Sequence, residues 1–363
     1  MSSILIFDDR ADERKRLTDA VSQLVDNHAS VLPFEGNTEI AEGESYETAI
    51  SKWVQKCSDK DRVALIACDK ELGLYDNFRG LSATPVSAVA MELGIPFCQY
   101  SRQVQSAQRE FARYKSLRQW SSEQITLSGL GEIDWAPQIA SLFGGFEKIV
   151  QRYKDIQKEV TTPAKALAII LENPDIESKL ALYGSGEQVF LQELLQYYDP
   201  DDPKSDLSEI YDHMPRVLGS WLLLSIMRFP GILVNKDAAA SYLNISQDDF
   251  SKAEIQSLFE TTKYCGPFND FGGESWWWRD RLDILIGEEG VDDGRDYALS
   301  HNMQVNECLD YLKVRAGYYC MLMRQPVSSK NSKGGIGWFP AGADLARLRK
   351  DKYDQLTALV GGF

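Results

Sequence analysis

Short, continuous apolar runs alternate with amphipathic stretches through the first 145 residues. Ile4-Leu5-Ile6-Phe7 is the first run, and a run apolar at every position reads as a strand buried on both faces. Residues 10–27 follow, with Leu17, Ala20, Val21, Leu24 and Val25 at helical spacing. That is one apolar stripe on an otherwise charged helix. A second strand is predicted over 29–34, a Glu- and Gly-rich loop over 35–44, and a helix over 46–57 that turns Ile50, Trp53 and Val54 inward. Residues 63–68 form another buried run, ended by Asp69. Residues 84–93 read as a helix with Pro85 near its first turn and Gly94 at its end. A strand over 95–100, a helix over 105–120, a strand over 124–127 and a helix over 133–143 complete the series.

Strands alternating with helices predict a doubly wound parallel sheet of the α/β flavodoxin-like class. Functional residues of such sheets gather at the carboxyl ends of the strands. Asp8, Asp9, Asp69 and Ser101 fall there. In a plain Rossmann-like domain the first two aspartates would only cap the first helix, since Asp is common at helix N-termini for stability alone. No GxGxxG or GxxxxGK[ST] signature follows the first strand, which weakens a nucleotide-binding reading.

Gly144-Gly145 marks the expected domain boundary, giving a first domain over 1–145 and a mainly helical one over 146–363. Helices are predicted over 146–161, from 163 to 171 and over 187–198, with a loop over 199–206. Residues 215–229 are apolar nearly all round, which predicts the centre of a second core. Residues 235–262 have the rhythm of a helix-turn-helix. They are acidic, however: residues 235–263 hold three Lys and five Asp or Glu. Phosphates would be repelled, so DNA reading is not expected and helix packing is. Trp276-Trp277-Trp278 is read as helical, where consecutive residues turn by about 100°. Two of the three are then expected in the core and one at an interface.

Composition narrows the function classes. The 363 residues carry 39 Lys plus Arg against 54 Asp plus Glu, a net charge of −15, which disfavours generic nucleic-acid binding. Residues 313–354 reverse that sign, with nine Lys or Arg and three Asp interleaved with Tyr318, Tyr319, Trp338 and Phe339. Such a segment suits either an acidic protein face, the chain's own included, or single-stranded nucleic acid. The six cysteines show no CxxC spacing, and the set Cys265, His301, Cys308 and Cys320 matches no zinc pattern. No leader and no membrane-length apolar run is read, so a cytoplasmic protein with reduced thiols is expected. No nucleophile elbow or HExxH is present, and nothing in the second half names a reaction.

ILIFDD at 4–9, ALIACD at 64–69 and GIPFCQYS at 94–101 resemble the receiver domain of two-component response regulators over about residues 3–145. The resemblance implies Mg²⁺ held by Asp8, Asp9 and Asp69. It also implies Asp69 as acceptor of a phosphoryl group from a histidine kinase, and Ser101 as the hydroxyl that then bonds that group. The chain departs from the family at the Lys that follows the fifth strand, where Ile125-Thr126-Leu127-Ser128-Gly129 stands instead. Arg102, beside Ser101, is the candidate replacement cation. Residues 70–82 are long and irregular, without the family's hydrophobic-Pro turn. The expected function is therefore a signalling protein whose receiver-like domain controls protein–protein contacts of the helical part. The alternatives are a phosphorylation-independent pseudo-receiver scaffold and a nucleic-acid-linked regulator acting through residues 313–354.

Overall fold

The first strand emerges as β1 (Ser2–Phe7), and Ile4, Leu5, Ile6 and Phe7 are all fully buried, as an uninterrupted apolar run requires. The computed structural model describes residues 2–38, 40–102, 113–114, 117, 124–127, 129, 131–184, 188, 191, 208–291, 293–305, 307–308, 311–315 and 317–360. Four more strands join β1: β2 (Ala29–Pro33), β3 (Arg62–Asp69), β4 (Phe97–Tyr100) and β5 (Ile125–Leu127). All pair in parallel, in the order β2-β1-β3-β4-β5. This order is compatible with the flavodoxin-like doubly wound sheet. The intervening helices are α1 (Ala11–Val25), α2 (Tyr46–Ser58), α3 (Ala83–Glu92) and α4 (Glu132–Ile156). The helices expected over 105–120 and 187–198 lie largely outside the described residues, and the loop over 199–206 wholly so.

Local chemistry explains the helix starts. Ser45 and Ser82 accept hydrogen bonds from Thr48 N and Thr84 N, capping α2 and α3. Leu17, Val21 and Val25 turn the predicted stripe of α1 inward. On the other face of the sheet, Ile50 and Val54 of α2 pack with Phe7, Phe34 and Phe78. The stretch after β3 is more ordered than its composition suggests. Glu71–Leu72 and Leu81–Ser82 pair as a small antiparallel hairpin, and Tyr75 and Phe78 from its loop are buried against Phe34.

The chain divides into two compact units, one of Met1–Gln105, Glu123–Ala166 and Glu187–Ser220, the other of Ser106–Ser122, Leu167–Gly186 and Trp221–Phe363. The boundary expected at residue 145 falls inside α4, which runs through Gly144 and Gly145 without a break. Each glycine costs about 1 kcal/mol relative to alanine in a helix. The apolar stripe Trp135, Ile139, Leu142, Phe146, Ile149 and Tyr153 continues on both sides and is buried throughout. Burial of side chains that size, about 1.5–3 kcal/mol each, outweighs the two glycines.

The second unit contains more strand than its pattern suggests. A four-stranded sheet runs in the order Gln325–Val327, Tyr318–Cys320, Ala346–Arg349, Ser332–Lys333. The three tryptophans are a strand, Trp276–Trp278, antiparallel to Leu233–Asn235, and not a helix. All three are buried, so none is left for an interface. Alternation along a strand sends Trp277 one way, against Phe250, and Trp278 the other, against Tyr264. The helix-turn-helix rhythm resolves into three short helices, Lys236–Tyr242, Gln247–Phe250 and Ala253–Leu258, with Ala238, Ala239 and Ala240 buried. Among the described residues, no helix is long and apolar enough to cross a membrane.

Gly219 tests the packing of α4. A β-carbon there would stand 2.2 Å from Cε1 of Phe146 and 3.2 Å from Ile149. Gly219→Ala is expected to destabilise the chain by about 1–3 kcal/mol despite alanine's better helix propensity, because the buried ring cannot retreat. Thermal unfolding measures it, and an unchanged or raised midpoint overturns that account.

Candidate functional site

Topology alone brings β1 and β3 side by side. The chain leaves β1 to one side to form β2, then crosses to the other to form β3, so the order reverses between these two strands. Phe7 pairs with Cys68, and the next residues are Asp8 on one strand and Asp69 on the other. One oxygen from each of Asp8, Asp9 and Asp69 lies within 4.8 Å of the others. These are the three sequence-predicted metal ligands, brought together at the carboxyl edge of the sheet.

The backbone of Asp8 is held from three directions. Tyr75 Oη lies 2.8 Å from the Asp8 carbonyl and 2.9 Å from that of Phe34, and accepts the Asp8 N–H at 3.1 Å. Arg14 Nη1 donates to the same Asp8 carbonyl at 2.6 Å, while its Nη2 reaches Glu35. Gly36 makes room for Tyr75: its φ is +68°, and a β-carbon there would sit 2.2 Å from the ring. The Asp8 carboxylate accepts from Arg10 N at 3.0 Å and lies 3.2 Å from Tyr100 Oη. Asp9 accepts the Leu74 N–H at 2.6 Å, tying the hairpin after β3 to the end of β1.

Arg10 is the cation of the site. Its Nη2 lies 2.9 Å from Asp69 Oδ2 and 2.8 Å from Glu13, and its Nε is 3.7 Å from Asp8. Arg102, the replacement cation expected from the sequence, pairs with Glu13. Ser101 lies at the end of β4 and lines the same cleft, about 620 Å³ in volume, as Asp9, Arg10, Asp69, Lys70 and Ser82. Ser128, in the stretch where the family has its Lys, lies outside the described residues.

Electrostatics follow from this geometry. Burial raises the Asp8 carboxyl to about 6, with the negative charge of Asp69 adding to it, while the Arg10 backbone N–H and guanidinium pull the other way. Asp69 is also raised, by burial first, although Arg10 and the backbone N–H groups of Glu71 and Lys70 oppose the rise. Asp8 and Asp69 thus share one arginine, itself divided with Glu13.

The donor set fits a hard divalent cation such as Mg²⁺. Every side-chain ligand is a carboxylate oxygen, and the open cleft leaves room for water or phosphate oxygens. The observation behind the fit is Asp8, wholly buried yet acidic, with its charge only partly offset.

Sequence reasoning missed Arg10, Lys70, Tyr75 and Tyr100. Arg10 and Lys70 directly follow Asp9 and Asp69, and that adjacency was a usable signal. Tyr75 had none, because its role depends on a loop folding back over β1 and β2. Comparison with family models, curated proteins and solved structures finds no match to this chain.

The raised Asp8 carboxyl makes stability depend on pH in a stated direction. Its folded value, about 6, exceeds the ordinary 3.8, so folding takes up a proton between them. The contribution is complete below the lower value and lost as pH rises through the upper one. In metal-free buffer, lowering the pH from 7 to 5 should therefore stabilise the native chain relative to Asp8→Asn by about 1.3 kcal/mol. At neutral pH, millimolar Mg²⁺ should raise the melting temperature of the native chain and not of Asp8→Asn. Chemical denaturation across pH and melting with Mg²⁺ read these outcomes, and identical profiles for both proteins refute them.

Proposed function

We propose that the α/β unit is a receiver-type regulatory domain whose Asp69 accepts a phosphoryl group, with Mg²⁺ held by Asp8, Asp9 and Asp69. The observation that carries this reading is the convergence of those three carboxylates at the β1/β3 edge, with Ser101 lining the same cleft from the end of β4. When bound, Mg²⁺ offsets the charge gathering on the phosphoryl oxygens. An Asp69 carboxylate oxygen attacks phosphorus, a new P–O bond forms, and the bond from phosphorus to the donor's leaving atom breaks. The donor is a phosphohistidine of a kinase or a small acyl phosphate.

The chain's own residues do the remainder. Tyr75 and Arg14 fix the end of β1, so the Asp8 carboxylate is presented without being free to swing. Lys70, exposed on the cleft, supplies a cation to the phosphoryl group where the segment after β5 offers none. Ser101 donates to a phosphoryl oxygen. About two added negative charges compete for Arg10, which now serves Asp69 and Glu13. Movement of Arg10 away from Glu13 alters the Glu13–Arg102 pair and with it the chain beside Ser101. That displacement is the output surface offered to a protein partner.

A second reading has its own observation. Asp69 Oδ2 is engaged by Arg10 at 2.9 Å, and backbone N–H groups of Lys70 and Glu71 also bond the carboxylate. A nucleophile so occupied suits a phosphorylation-independent scaffold, with Arg10 taking the place of the metal.

Incubation with acetyl phosphate and Mg²⁺, read by intact mass, separates the two. An added phosphoryl group that is lost in Asp69→Asn supports the receiver. Labelling absent from the native chain but present in Arg10→Ala supports the scaffold closed by its own arginine. Absence of labelling and of Mg²⁺ binding in both proteins rejects the phosphoacceptor.

A further inference from the structure

One end of the four-stranded sheet of the second unit gathers cations without a matching set of carboxylates. Its edge strand is Ser332–Lys333, antiparallel to Ala346–Arg349, with Ser332 opposite Arg349 and Lys333 opposite Leu348. The turn before the edge strand is clasped by Lys350, whose N–H reaches Asn331 O at 2.9 Å and whose Nζ reaches Lys330 O at 2.6 Å. Lys330, Lys333, Arg347, Arg349 and Lys350 therefore lie on one small region of surface. Lys330, Lys333 and Lys350 are exposed, and among the described residues none of the three has a carboxylate partner. Arg349 alone of the five is paired, with Asp351.

Two of these cations lie over aromatic rings. The Arg347 guanidinium stands 4.0 Å from the centroid of Tyr318, and Lys333 Nζ stands 4.3 Å from that of Tyr353. Arg347 also lies against the backbone of Gly334, where a β-carbon would come within 2.6 Å of its Nη1. The guanidinium thus lies against a ring and a glycine, and its buried Nε has no hydrogen-bond partner. A planar cation fixed in advance loses little entropy when a second planar group or a phosphate meets it.

Elsewhere in the basic segment, Arg324 pairs with Asp237 and Glu274. The cluster at the sheet edge has no such acidic partner set. Unpaired ammonium groups favour a polyanion, and cations layered on rings favour one with flat faces between its charges. A phosphodiester strand with unpaired bases combines both properties, whereas an acidic polypeptide supplies only charge. The net −15 of the chain does not forbid this, because separate surface charges are screened beyond about 10 Å at 0.1 M salt.

We propose that the basic edge of this sheet, Lys330, Lys333, Arg347 and Lys350 with Tyr318 and Tyr353, binds single-stranded nucleic acid. Phosphates meet the three lysines and the Arg347 guanidinium, and bases lie against the Tyr318 and Tyr353 rings. The proposal does not depend on phosphorylation of Asp69.

The test is fluorescence anisotropy of a labelled oligothymidylate of about 20 nucleotides with the full-length protein. Saturable binding is expected at low salt, with log K falling against log salt at a slope of about −3, set by roughly four neutralised phosphates. Lys330→Gln, Lys333→Gln and Lys350→Gln combined should weaken it by about tenfold or more and flatten the slope, and Lys330→Gln with Lys333→Gln, which keeps the Lys350 contact to Lys330 O, should weaken it in the same direction. Arg347→Lys keeps the charge and loses the plane, so it should weaken binding with little change of slope. Three results overturn the proposal: no anisotropy change at low salt, equal affinity for the triple variant, or a polyglutamate of similar charge competing as well as the oligonucleotide. The last would assign the surface to an acidic protein.

Discussion

Three carboxylates are brought together at the ends of two adjacent buried strands, and much of the first unit is arranged around that unfavourable fact. β1 and β3 are neighbours because each is apolar on both faces and belongs in the middle of the sheet. Once they pair in register, Asp8 and Asp69 have nowhere to go but toward each other. Water is largely excluded from Asp8, so its charge is expensive. Arg10, Tyr100 and the backbone N–H of Arg10 reduce that cost without removing it. The acidic cluster beside the cleft is therefore kept at a cost in stability.

Arg10, Glu13 and Arg102 form one linked set of ion pairs: Arg10 joins Asp69 to Glu13, and Glu13 in turn holds Arg102 beside Ser101. Any added negative charge near Asp69 draws on the same guanidinium. Tyr75 and Arg14 meanwhile fix the backbone at the end of β1.

The second unit works from different physics. Its centre is aromatic, with Trp276, Trp277 and Trp278 all buried in a short strand and Tyr183 bonded through its hydroxyl to the carbonyls of Phe229 and Gly342. A group of its basic side chains lies at one sheet edge. Cations held over rings there retain a charge that neighbouring carboxylates do not cancel.

The order of strands and helices through residue 100 was legible in the sequence because buried parallel strands and amphipathic helices have different periods. The candidate residues Asp8, Asp9, Asp69 and Ser101 were legible for the same reason, since each stands immediately after an apolar run. Their convergence was not, for it depends on which strands become neighbours. Nor was the choice of Arg10 over Arg102 as the partner of Asp69, which is a matter of reach across the cleft. The domain boundary at Gly144-Gly145 misled because two glycines are a local penalty, whereas the stripe from Trp135 to Tyr153 is buried along its whole length. The tryptophans misled for a related reason: three identical residues carry no period, and pairing with Leu233–Asn235 made them a strand. The sequence by itself determined the alternating elements and the residues at their ends. Only the tertiary structure decided which charges face one another, because that is set by long-range strand pairing and side-chain reach.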